Sequence, residues 1–154
     1  MRKAGLGIGG RAITQDSFNL DRFVHAQAPV FDRALAEMRA GEKRSHWMWF
    51  VFPQIAGLGQ SAMSRRYAIA SLAEARAWLA HPLLGGRLRA CLDALDRLPG
   101  SDPVRIFGPV DAMKLRSSLT LFEAAGGGDA FGAALERWFG GERDPATQAL
   151  LAQG

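Results

Sequence analysis

The chain has 154 residues, of which 48% are hydrophobic and 22% charged, with a formal net charge of +4. That length sustains one domain with its own core and requires no disulfide or metal staple. Arg2, Lys3 and Arg11 against Asp16 place +2 of the charge in the first 17 residues and leave +2 for the body, which argues against a nucleic-acid partner needing a basic stripe.

Residues 1–17 are expected to form a flexible, glycine-rich leader. The run Gly5–Gly10, GLGIGG, matches the spacing of a dinucleotide fingerprint. That motif works by joining a strand to a helix N-terminus, and the four residues before Gly5 leave no strand. No cofactor is expected. The leader also lacks the continuous apolar segment of a signal peptide, and no run approaches the roughly 20 apolar residues of a membrane span. No membrane association is expected, and the expected location is cytoplasmic.

Residues 18–152 are expected to form a single helical domain. Leu20, Phe23, Val24, Phe31, Leu35 and Met38 recur at helical spacing. Pro29 interrupts them, giving two short helices or one kinked helix, and Gly41 suits the position just past a helix end. His46–Phe52 is open between strand and helix. Val51 and the aromatics favour a strand, but no partner strand is apparent, so the reading leans to a helical turn ended by Pro53. A short helix follows over Ser61–Tyr67. Ser71 and Glu74 have capping-box spacing and open a helix to about Ala80. Pro82 opens the next, which ends at Pro99-Gly100. A short turn runs from Ser101 to Gly108. Asp111 is expected to cap a helix through Leu115, Leu119 and Phe122, and Asp129 another through Phe131, Leu135 and Trp138. Asp144-Pro145 begins the last. The expected fold is all-α: a compact multihelical domain of six to eight short helices.

Two polar blocks adjoin strong apolar anchors. In the first, Lys43, Arg44, Ser45 and His46 run into Trp47, Met48, Trp49, Phe50 and Phe52, with Gln54 after Pro53. Lys43 and Arg44 suit a phosphate, Trp47 can stack on a planar ring, and His46 is the candidate for a catalytic proton transfer, a role imidazoles commonly fill. Met48, Trp49, Phe50 and Phe52 read as core. In the second block, a helix places Lys114 beside Ser117 and Ser118, with Arg116 between, while Leu115, Leu119 and Phe122 face the core. The ordinary alternative for its serines is bonding to backbone carbonyls. A small, nucleotide-like or phosphorylated anion between the two blocks is the leading expectation. N-glycosidic cleavage is the one reaction such a site suggests. The alternative is a non-catalytic protein-interaction module anchored by exposed Trp47 or Trp49.

Cys91 is the single cysteine and lies among Leu84, Leu88, Leu92 and Leu95, so it reads as core. His25, His46 and His81 lack the spacing of a local metal site, and no metal is expected. His25 and His81 read as structural.

The blocks Asp21–Gln27, Lys43–Gln54, Tyr67–Ala70, His81–Gly85, Ile106–Gly108 and Lys114–Phe122 resemble a bacterial family known as domain of unknown function 1810. The resemblance covers about residues 17–151, and the Lys43–Gln54 and Lys114–Phe122 blocks are its most specific pieces. It implies a compact, mainly helical fold and no established activity.

Overall fold

The computed structural model describes residues 16–153. The expected leader, with its glycine run, falls almost wholly outside them. Nine helical segments follow in order: α1 (Asp21–Gln27), α2 (Phe31–Ala40), α3 (Met48–Val51), α4 (Ala62–Arg66), α5 (Leu72–Ala80), α6 (Pro82–Asp96), α7 (Pro103–Ala124), α8 (Asp129–Phe139) and α9 (Pro145–Gln153). The fold is all-α, as expected. Two of the nine, α3 and α4, are single turns of four and five residues. Among the described residues the only strand-like pairing is one isolated parallel bridge, Ile55 with Ile69.

Local signals explain most boundaries. Gly41 ends α2 at φ 73°, in the left-handed region that glycine enters without steric cost. Ser71 Oγ accepts the Glu74 backbone N–H and caps α5. His81 caps α6 in the same way: its Nδ1 accepts the N–H groups of Leu83 and Leu84, and Pro82 occupies the first turn. Asp144 Oδ2 accepts the Thr147 N–H at the start of α9.

Two expected caps are corrected. The α7 segment breaks at Gly108 (φ 80°, ψ 164°), and Pro109 starts its second part. Helix initiation thus falls before Asp111, which lies in the first turn with its carboxylate available to other groups. At α8 the capping position is Gly128, with no side-chain bond, and Asp129 is the first helical residue.

The second part of α7 is the central element. Leu115, Leu119, Leu121 and Phe122 are wholly buried, and α7 packs against α3, α5, α8 and α9. Phe122 lies 5.9 Å from Trp78 and 6.0 Å from Phe131, ring centre to ring centre, which ties α5 and α8 to it. Cys91 is fully buried on α6, and burial pushes its thiol up to about 12, the pKa of an inert core residue. Among the described residues no helix is long and apolar enough to cross a membrane.

Candidate functional site

The loop after Gly41 must satisfy its backbone groups without a helix. Glu37, in the last turn of α2, supplies the acceptor. Its Oε1 receives the N–H of Arg44 (2.9 Å), the N–H of Ser45 (3.1 Å) and the indole N–H of Trp47 (2.8 Å). Its Oε2 receives the Ser45 hydroxyl at 2.7 Å. Burial alone would raise the Glu37 pKa, but the four hydrogen bonds outweigh it and bring the group to about 2. Trp47 is 0% exposed. Its ring packs 6.4 Å from both Phe52 and Phe107.

This corrects the expectation of a stacking or exposed Trp47. Trp47 is sealed in the core and offers no face to a ligand or a protein partner. The Ser45 hydroxyl is held by Glu37. Arg44 extends into solvent, where it pairs with Glu42 at 2.9 Å. His46 is exposed on the same loop.

Lys43 turns the other way. Its backbone N–H reaches the Ile106 carbonyl at 2.8 Å, which brings the loop against α7. Its side chain is only 6% exposed, and Nζ lies 2.7 Å from Asp111 Oδ2 and 2.6 Å from the Ser45 carbonyl. Lys114, one turn after Asp111, lies 3.8 Å from Oδ1. Two ammonium groups thus share one carboxylate. Lys114 also rests over the Trp49 ring, 4.7 Å from its centre. Trp49 is half-buried, and its buried indole nitrogen has no hydrogen-bond partner.

The two sequence blocks therefore touch. Besides Lys43 and Asp111, Gln54 Nε2 donates to Ser117 Oγ at 2.7 Å, and Ser117 in turn donates to the Lys114 carbonyl. The bridge from Ile55 to Ile69 holds Gln54 in place, since the Ile69 N–H donates to the Gln54 carbonyl at 2.8 Å.

The remaining candidates lie elsewhere. Ser118 is fully buried, and its hydroxyl has no partner there. Arg116 faces α9, 3.5 Å from Glu142 and 3.6 Å from Asp144. Thr120 completes that join by donating to the Arg116 carbonyl and accepting the Asp144 N–H. Arg116 thus links α7 to the segment that leads into α9. Among the described residues no group of three or more His, Cys, Asp or Glu side chains could hold a metal ion.

Glu37 and Asp111 are the residues that organise both clusters, and sequence reasoning missed their roles. Nothing in helical periodicity marks Glu37. The available signal was chemical: a donor-rich loop, Lys43–Ser45, leaves a helix end and needs an acceptor nearby. A cleft of about 350 Å³ between α6 and α8 lies apart from these residues. Its floor is Leu92, Ala130, Ala133 and Ala134, and its Arg137 is committed to the carbonyls of Asp96, Leu98 and Gly100.

The chain is similar to a conserved hypothetical protein from Mycobacterium tuberculosis, known from a crystal structure. The two share 51% identity and a TM-score of 0.87, over 89% of this chain and 99% of the other. No curated protein matches this chain. The model of a family described as protein of unknown function, DUF1810, matches residues 17–151, and the chain belongs to that family.

Proposed function

We propose that the seam between the Lys43–Gln54 segment and α7 binds a small anionic ligand, nucleotide-like or phosphorylated, with Lys114 as its cation. One observation carries the reading: Lys43 and Lys114 share the single carboxylate of Asp111. Lys43 takes the shorter contact and is buried, so the uncompensated charge belongs to Lys114, which is partly exposed above Trp49. A partly desolvated ammonium attracts an anion more strongly than one in open water. Fixed by Asp111 and the indole face, it also loses little side-chain entropy on binding.

Binding, rather than proton transfer, is what this arrangement supports. His46 stands exposed and takes part in none of the contacts that join the two blocks. The buried, unpaired Cys91 suits the reducing cytoplasm, where phosphorylated metabolites are at hand. A protein partner anchored on tryptophan has less to support it, since Trp47 is sealed and Trp49 already lies under Lys114.

A thermal-shift screen with nucleotides, ADP-ribose and sugar phosphates tests the proposal. A ligand at about 100 times its dissociation constant stabilises the native state by about 2.7 kcal/mol. For a chain of this size that raises the melting temperature by about 5 °C or more. The Lys114→Ala variant should lose the shift. A shift that persists unchanged in that variant, or none with any anion, would overturn the reading.

A further inference from the structure

We propose a second binding site, in the loop pocket between Gln54 and Ala68, that holds a small oxyanion, a carboxylate or a phosphate group, through Arg65, Ser64 and Gln54. The pocket has a volume of about 140 Å³ and is bordered by those three residues together with Ala56, Gly57 and Gly59. That is room for a small oxyanion, since a single water needs only about 10–15 Å³ on the same measure.

Its frame is fixed at both ends. At the base, Gln54, Ala56 and Ile69 exchange backbone hydrogen bonds of 2.8 Å. At the rim, the Ser61 hydroxyl accepts the Ser64 N–H at 3.1 Å and donates to Ser64 Oγ at 2.9 Å. Gly59 lets the loop press onto α4, since a Cβ there would lie 2.3 Å from the Ser64 Cβ. Gly57 turns the chain at φ +105°, a conformation that suits glycine.

The groups at its edge are mainly donors. Ser64 Oγ already accepts from Ser61, so its own proton is left to give. Gln54 Nε2 uses one proton on Ser117 and keeps a second. Arg65 is exposed, and none of the ion pairs among the described residues uses it. A guanidinium beside a hydroxyl and an amide N–H complements an oxyanion in charge and hydrogen bonding. None of this depends on Lys114.

Amide NMR titration with inorganic phosphate, with acetate and, separately, with ribose 5-phosphate tests the site at constant ionic strength. Saturable shifts are expected at Gly57, Gly59, Ser64 and Ala68 in the wild type and equally in Lys114→Ala. Arg65→Ala should weaken binding about tenfold or more, and Arg65→Lys should recover part of it, because it keeps the charge without the planar fork. Arg65 is exposed, so neither variant threatens the fold. A tighter fit for inorganic phosphate would identify the free anion as the natural occupant. A tighter fit for ribose 5-phosphate would identify the phosphate end of a larger molecule. No saturable shift in this loop, or equal binding by Arg65→Ala, would overturn the proposal. A failed ADP-ribose screen would bear on Lys114 alone.

Discussion

Trp47 and Trp49 stand two residues apart and end in opposite circumstances. Trp47 is sealed, its indole N–H donated to Glu37 and its ring packed between Phe52 and Phe107. Trp49 is half-buried, its indole nitrogen has no partner, and a partly exposed lysine lies on its face. Both belong to a polar cluster set against an aromatic anchor, which is the pattern that drew attention to the block. What separates them is satisfaction. Around Glu37 each donor has its acceptor, so the cluster is scaffold. Around Asp111 two cations share one anion, and the proposed ligand site rests on that imbalance.

Four substitutions would break or sharpen this contrast. The largest effect belongs to Trp47→Ala. It should cost about 3–5 kcal/mol in urea unfolding, because a full indole leaves a closed core. Next is Asp111→Ala, which strands the buried Lys43 ammonium and should cost about 3 kcal/mol. Its double variant with Lys43→Met should recover much of that loss, since an uncharged side chain then fills the space. Glu37→Gln comes third, at about 1–2 kcal/mol, through the charge-assisted bonds to Arg44, Ser45 and Trp47. It carries a pH signature. The folded pKa of Glu37 lies near 2, below its ordinary value of 4.5, so its contribution is full above about pH 4.5 and fades as the pH falls toward 2. The group is partly exposed, and solvent screening keeps that contribution to about 1–2 kcal/mol. Acid titration of stability should therefore be flatter in Glu37→Gln than in the wild type over that window. The smallest effect on stability belongs to Lys114→Ala, about 0.5–1 kcal/mol from the lost contact with Trp49. A loss near that of Asp111→Ala would mean that Lys114 is scaffold too.

The helices were legible because their signals are local. Ser71 with Glu74, Pro82 after His81, Gly41 at a helix end and the apolar spacing of Leu115, Leu119 and Phe122 each act within a turn or two. Composition leaves open whether the two polar blocks meet, and in the fold the contacts at Asp111 and Ser117 join them. The division of labour inside the first block was not legible. A four-residue helix such as α3 is about one turn, too short for periodicity to tell the buried Trp47 from the half-buried Trp49. Glu37 and Asp111 act across 10 and 68 positions of sequence, through a loop path that no local pattern encodes. Asp111 was further disguised by Gly108, whose kink moves the helix start and frees the expected cap for Lys43. The placement of Ser118 and Arg116 has a simpler reason. α7 is packed by four other helices, and most of its residues after Lys114 face the core or a neighbouring segment.

The most direct test compares the ligand-induced rise in melting temperature in Glu37→Gln and Lys114→Ala, side by side with the wild type and with the same panel of phosphorylated compounds. The account predicts that Glu37→Gln melts lower but keeps the wild-type rise, while Lys114→Ala melts close to wild type and loses it. The reverse pattern, with the rise lost in Glu37→Gln and kept in Lys114→Ala, would contradict the division between scaffold and site.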